Sequence, residues 1–167
     1  EKYDNLYFAK KAIEHIMKYD IAINNWFNQD VVGHSYKKVR ELKYGLNPYM
    51  KPCYVYLKDD DEIPFTILNG NPGYINLLDA NNAIRLVLET KLLMNRNCCA
   101  SFKHNSPAGV ASTNTLSDFE KELYKPNSHD SLPEATFLSA RNVDPKSSFG
   151  DMIAYSGVVD IHMAIRL

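Results

Sequence analysis

CCASFKH, residues 98–104, is the most informative segment of the sequence. The small and apolar residues from Cys98 to Phe102 are typical of a short buried strand. Such a strand delivers the next two residues, Lys103 and His104, to its carboxyl end, just before an expected loop over residues 105–109. Because ligands of α/β sheets tend to bind outside the carboxyl ends of strands, the stretch predicts a site as well as a core.

The pair Lys103-His104 combines two chemically useful groups. Histidine supplies a proton acceptor with an ordinary pKa of about 6.5. Lysine supplies a fixed cation for a developing oxyanion or for a phosphate. The alternative is a surface lysine beside a hydrogen-bonded structural histidine, and residue type alone favours that alternative. Lys103 and His104 alone therefore do not decide between a catalytic pair and this structural alternative.

Upstream of the strand, the sequence predicts a turn and a long helix. NGNPG at residues 69–73 is typical of a turn, because glycine permits positive φ and proline fixes φ. A helix is expected from about Ile75 to Met94. Its residues Leu78, Ala83, Leu86, Val87, Thr90 and Leu93 can share one face. Asn76, near the start of this helix, is either a ligand-binding residue or a helix cap.

The N-terminal part is predicted to open with a leading helix within residues 1–30. Its apolar residues Leu6, Ala9, Ile13, Ile16, Ile23 and Phe27 largely follow helical spacing, and Asp20 marks a possible bend or break. Residues 31–51 carry two glycines and a proline and predict mainly loop. Two strands are expected next, over 53–57 and 65–68, separated by the acidic turn at 59–61.

Downstream of residue 109, Ser117 and Glu120 form the signature of a capping box that opens a short helix. A polar, proline-containing stretch follows over 125–134. SSFGD at 147–151 either brings backbone N–H groups close to an anion or forms a tight entry to a strand over 149–156. The chain then enters a further helix. Because helices and strands alternate, the predicted class is α/β, with a mixed sheet flanked by helices.

Composition restricts the classes of function. The 167 residues are 45% hydrophobic and 23% charged, with a net charge of −1, as in ordinary globular proteins. Neither a nucleic acid nor a membrane is an expected partner, because there is no basic excess and no apolar run of spanning length. Three cysteines, two of them adjacent, make a poor disulfide framework and favour a reducing cytoplasm. The absence of an initiator methionine leads us to expect part of a longer protein.

Five blocks of the sequence carry a resemblance. They read YDIAINNWF at 19–27, LKYGLNP at 42–48, LNGNPGYINLLDANNA at 68–83, SFKHNSPAG at 101–109 and SSFGD at 147–151. In this order they resemble the formyl-transfer domain of the bifunctional AICAR transformylase/IMP cyclohydrolase family, and they cover nearly the whole chain.

The resemblance implies that residues 1–167 are the N-terminal portion of the transformylase domain, with a leading helix (1–30) and a cytidine-deaminase-like subdomain (31–167). The cyclohydrolase (hydrolase) domain and the rest of the transformylase domain would be absent, so the fragment alone would be inactive. The implied activity is formyl transfer from 10-formyltetrahydrofolate to AICAR in purine (IMP) biosynthesis. The partners would be that nucleotide and folate, with a homodimer in the full-length protein.

The resemblance also implies roles for individual residues. Lys103 and His104 would be catalytic, with His104 moving the proton and Lys103 stabilising charge on the formyl group. Substrate-binding residues would be Lys43, Tyr44, Asn76, Phe149 and Gly150. No metal is predicted in this segment.

Three positions depart from the family pattern, and they support an alternative. Lys43 replaces an arginine, Tyr49 a histidine and Met50 a glutamine. These replacements lower the expected affinity for the nucleotide. A non-catalytic homologue that keeps the fold as a nucleotide-binding or scaffold subunit is therefore the second hypothesis. A zinc nucleoside deaminase is rejected, because neither the H-x-E nor the P-C-x-x-C signature occurs.

Overall fold

The computed structural model describes residues 4–58, 61–113 and 115–167. In chain order the elements are α1 (Asn5–Phe27), β1 (Tyr36–Leu42), β2 (Cys53–Lys58), α2 (Tyr74–Met94), β3 (Cys98–Lys103), β4 (Ser106–Ser112), α3 (Asp118–Tyr124), α4 (Leu132–Arg141), β5 (Met152–Tyr155) and α5 (Ile161–Arg166). They form two compact units, the first within Glu1–Leu42 and Lys51–Asn71, the second comprising Lys43–Met50 and Pro72–Leu167. None of the helices in the described ranges is both long and apolar enough to cross a membrane.

Helix α1 of the first unit begins at a side-chain cap. The carboxylate of Asp4 accepts the backbone N–H groups of Leu6 and Tyr7, which satisfies two of the donors that every helix leaves free at its start. The predicted leading helix is thereby confirmed. It runs through Asp20 without the break that the sequence allowed, and none of its residues is buried.

Strands β1 and β2 pair antiparallel, and β1 corrects the expectation of a loop over 31–51. Its sequence, YKKVREL, does not predict a strand, because charged residues interrupt the alternation of apolar and polar positions that is typical of strands. The register shifts between Lys38 and Arg40, which is a bulge. The predicted strand over 53–57 is confirmed as β2.

The expected strand over 65–68 is wrong, because these residues form no strand. Leu68 is 92% exposed, so its apolar side chain has no sheet to pack on. Of the acidic turn that was to separate the two strands, Asp59 and Asp60 lie outside the described residues. The turn over 69–73 is confirmed in the conformation that glycine permits, with Gly70 at φ +77°.

The second unit is built on a three-stranded sheet with the order β4-β3-β5. Both pairings of β3 are antiparallel, so the expectation of a mixed sheet is wrong in the described part of the chain. The central strand β3 is buried from Cys98 to Phe102, as predicted. An α/β class is confirmed, with helices flanking small sheets.

Alternate residues of β3 enter two separate cores. Cys98, Ala100 and Phe102 pack with Ala83 and Val87 of α2. On the other face the cluster contains Cys99 of β3 together with Leu116, Ala135, Phe137, Leu138, Ala140 and Met163. Helices therefore cover the sheet on both sides, which explains why the strand reads as a continuous apolar run.

Helix α2 confirms the predicted helix over 75–94, although Leu93 is 87% exposed and does not share the buried face with Ala83 and Val87. Helix α4 was not predicted from the sequence, and it lies close to β4. A Cβ at Gly109 would overlap the carbonyl of Ala140, so this glycine permits the close approach. The capping box of Ser117 and Glu120 opens α3 as predicted, and α5 is the expected terminal helix.

Candidate active site

A two-residue turn carries His104 to the tip of a hairpin. Lys103 of β3 pairs with Ser106 of β4, and the two residues between them have positive φ, 51° at His104 and 65° at Asn105. This is the backbone of a type I′ turn, which suits the twist of a hairpin. The loop expected over 105–109 is therefore a turn followed by a strand. His104 is exposed in a conformation that residues with a Cβ adopt infrequently.

Helix α2 holds this turn from one side. The buried carboxylate of Asp79 accepts the backbone N–H of Asn105 at 2.6 Å. The side chain of Asn82, one helical turn further on, donates to Asn105 Oδ1 at 2.7 Å. Neither residue was assigned a site role from the sequence. An acid at a buried position of a helix was the available signal, because buried carboxylates require partners.

The ammonium group of Lys103 is bound by the segment that precedes β5. Its Nζ donates to the carbonyl oxygens of Phe149 at 2.6 Å and Gly150 at 2.9 Å. An ammonium group has three N–H donors, so one is left for a ligand. Gly150 has φ +67°, and a Cβ there would lie 3.2 Å from Lys103 Nζ. The structure therefore brings Lys103 together with Phe149 and Gly150.

A buried polar cluster lies beneath these carbonyls. Ser101 Oγ donates to Asp151 Oδ2 at 2.6 Å and lies 2.9 Å from Ser148 Oγ. Arg141 of α4 approaches the same carboxylate, with Nε 3.8 Å from Asp151 Oδ2, and donates to the Ser148 carbonyl at 3.4 Å. The sequence alone gave no reason to join these residues, because they come from three separate segments.

An open cleft of about 560 Å³ lies beside the hairpin tip. Its lining contains Lys103, His104, Ser106, Pro107, Ala108, Asp144, Lys146 and Ser147. The Ser147 hydroxyl and backbone N–H both donate to the Asp144 carboxylate, and these bonds lower its pKa. The cleft thus combines an imidazole, two lysines, two serine hydroxyls and one carboxylate, and the two cations beside a single anion suit a polar, anionic ligand.

Lys43, Tyr44 and Asn76 form a second group at the start of α2. The backbone of Lys43 donates to the Pro72 carbonyl, and the Tyr44 carbonyl accepts the N–H of Tyr74. Asn76 Oδ1 accepts the N–H of Gly73 at 3.0 Å, so this side chain serves the helix start. Asn76 precedes Asp79 by about one helical turn. None of these three residues belongs to the described lining of the cleft.

The described ranges hold no group of three or more histidine, cysteine, aspartate or glutamate side chains arranged to bind a metal ion. At the edge of the cleft, the side chains of His104 and Lys103 offer an imidazole and an ammonium group.

Known proteins resemble the chain over nearly its whole length. The AICARFT/IMPCHase bienzyme family matches residues 2–167. The bifunctional purine biosynthesis protein PurH of Aquifex aeolicus is 33% identical over 98% of this chain and 31% of its own length. PurH of Caldicellulosiruptor bescii is 28% identical over 96% of the chain and 30% of its own length. The chain thus spans about three tenths of these relatives, and it belongs to the AICARFT/IMPCHase bienzyme family.

Proposed function

We propose that this chain supplies the first part of an AICAR transformylase domain, which transfers a formyl group from 10-formyltetrahydrofolate to AICAR in purine biosynthesis. The observation that carries the proposal is the ammonium of Lys103, held by two backbone carbonyls next to His104 at the edge of an open cleft. Family membership supports a role in purine biosynthesis, and this arrangement favours the formyl-transfer half over the cyclohydrolase half.

In this proposal His104 is the general base. The amine of AICAR is conjugated with its ring and is a weak nucleophile, so it needs positioning and removal of its proton. As the amine nitrogen bonds to the formyl carbon, the carbonyl electron pair moves to oxygen. The free N–H of Lys103 stabilises that oxyanion. The electron pair on this oxygen then re-forms the carbonyl, the bond from the formyl carbon to the folate nitrogen breaks, and His104 gives the proton to the leaving nitrogen.

The remaining predicted residues are assigned to the nucleotide. The backbone of Lys43 bonds to Pro72, just before α2, and that of Tyr44 bonds to Tyr74, the first residue of α2, so a nucleotide bound there would lie near Asn76. Phe149 and Gly150 would line the same pocket, with the Phe149 ring 84% exposed and available for stacking. We further propose a cytidine-deaminase-like arrangement of the subdomain, a homodimer and a cytoplasmic location.

The test replaces His104 by alanine in the complete gene product and measures formyl transfer and AICAR binding. We expect activity to fall by at least about 100-fold, the usual contribution of a general base, while AICAR binding changes much less. His129→Ala is the matched control, because this exposed histidine has no assigned role. Equal formyl transfer by the His104 variant and the unmodified protein would refute the proposal.

A non-catalytic homologue is the second candidate. The observation that favours it is Tyr49, which is 81% exposed and stands where the family has a histidine. Complementation of a purine auxotroph by the complete gene separates the two hypotheses. Growth supports the enzyme, whereas folded protein without growth supports the non-catalytic homologue.

A further inference from the structure

We propose that Ser101 and Asp151 are positioning residues for Lys103. They would fix the two carbonyls that hold its ammonium during formyl transfer. This inference rests on the proposed function, because it assigns Lys103 a task in that reaction. It concerns residues that bear no part of the chemistry themselves and act through the segment from Ser148 to Asp151.

The hydrogen bonds of the cluster have a fixed direction. The Ser101 hydroxyl has a single hydrogen, which it donates to the Asp151 carboxylate. The contact between Ser101 Oγ and Ser148 Oγ must therefore be donated by Ser148. Ser101 and Ser148 are 0% and 1% exposed, and the Asp151 side chain is 5% exposed. Both serine hydroxyl hydrogens are donated within the cluster, so its hydrogen bonds have a single pattern of donors and acceptors.

The cluster brackets the carbonyls that bind Lys103. Ser148 and Asp151 stand immediately before and after Phe149 and Gly150. Ser101 and Lys103 are two residues apart on β3, so their side chains leave the same face of the strand. Through Ser101, this strand face therefore binds Ser148 and Asp151 at the two ends of the segment. Through Lys103, the same face binds the carbonyl groups of Phe149 and Gly150 between them.

The two bracketed residues contribute little to the core. The Phe149 side chain is 84% exposed, and Gly150 has no side chain. What these residues present to β3 is their carbonyl oxygens, at 2.6 and 2.9 Å from Lys103 Nζ. A buried polar cluster stabilises only when its members are satisfied, and here its geometric effect is the position of those oxygens. This supports a positioning role in addition to packing.

The experiment is a double-mutant cycle in the complete gene product, with kcat and the KM for AICAR as readouts. Asp151→Asn alone should lower kcat about 10- to 100-fold, because a small displacement of a catalytic group is costly, and it should also raise the KM for AICAR, since Phe149 and Gly150 line the proposed nucleotide pocket. In the Lys103→Ala background, the same change should have almost no further effect on kcat. Asp160→Asn is the control, since Asp160 also accepts a serine hydroxyl, that of Ser131, but caps α5.

Each outcome has a distinct meaning. If Lys103→Ala leaves kcat unchanged, the proposed role of Lys103 fails, and the positioning role fails with it. If Lys103→Ala lowers kcat but Asp151→Asn does not, or lowers it equally in both backgrounds, the positioning role alone is overturned. Ser101→Ala is the second variant if Asp151→Asn does not fold. It removes the same link without placing an amide in the cluster, and it should reproduce the coupling to Lys103.

Discussion

Helices α1 and α4 both carry apolar residues on helical spacing, yet the 10-residue α4 buries six side chains and the 23-residue α1 buries none. Helix α4 lies close to β3, β4 and α5, which surround its apolar residues. On α1, Ile13 and Trp26 are 68% and 77% exposed. The spacing of apolar residues therefore does not determine whether a helix is buried, because burial depends on elements distant in sequence. Stability should accordingly respond very differently to equal changes in the two helices.

The largest effect is expected from truncating the core side of α4. Phe137→Ala removes a side chain that is 2% exposed and should lower the opening free energy of β3 by about 3–5 kcal/mol. Hydrogen exchange of the β3 amides measures that energy locally. Phe27→Ala on α1, where the ring is 73% exposed, is the matched control and should change stability by no more than about 0.5 kcal/mol. Equal effects would show that α1 is covered in the protein.

The next effect concerns the buried carboxylate of α4. Glu134 is 0% exposed and accepts the N–H groups of Asn127 and Ser128 and the Arg166 guanidinium. Glu134→Ala leaves these donors without an acceptor and should lower the free energy of unfolding by about 2–4 kcal/mol. Glu134→Gln keeps an acceptor oxygen and should cost less, as hydrogen exchange of α5 would show. An alanine variant as stable as the unmodified protein would contradict the assigned contacts.

A smaller effect, with a pH dependence, is expected at the cap of α5. Burial alone would raise the pKa of Asp160, but hydrogen bonds from the Met163 N–H and the Ser131 hydroxyl outweigh it, so the pKa is lowered. Because the folded pKa lies below the unfolded value of about 3.9, the stabilisation is complete above that value and disappears as pH falls through the folded pKa. Asp160→Ala should cost about 1 kcal/mol at neutral pH and less at the acid limit, by urea titration. A pH-independent difference would contradict this.

The smallest effect is expected on α1. Hydrogen bonding and charge from Lys11, with a further contribution from Lys18, lower the pKa of the exposed Glu14. Because solvent and salt screen such pairs, Glu14→Gln should leave stability unchanged within error. The pKa of Glu14, followed by NMR, should return toward its ordinary value as salt is added. A pKa that resists salt would indicate that α1 is shielded from solvent.

The elements that could be predicted from the sequence are those with strong local patterns. The run from Cys98 to Phe102 and the turn-helix signals around α2 and α3 predicted elements that the structure contains. Helix α4 was missed although Ser131 and Glu134 have capping-box spacing, and Ser131 does cap the helix. Strand β1 was not predicted, because its charged residues interrupt the apolar periodicity. Pairing with β2 holds this strand in the sheet.

Only the part of the candidate site that is continuous in sequence could be predicted. Lys103 and His104 follow directly from the end of a buried strand. The turn that holds His104 was not foreseen, because asparagine-glycine is the usual signal for such a turn and His104-Asn105 is not. The partners Asp79, Ser101 and Asp151 depend on the register of β3 against distant segments. That register is a tertiary property, and no local pattern specifies it.

The burial of β3 also determines the thiol chemistry of the chain. Burial raises the pKa of Cys99 to about 12 and raises that of Cys98, whereas Cys53 of the first unit is only half-buried. Because the thiolate is the reactive form, an alkylating reagent at neutral pH would modify Cys53 first. The β3 thiols would react only when the strand opens and exposes them. Labelling rates of Cys98 and Cys99 would thus time the opening of β3, with Cys53 as an internal reference and no introduced probe.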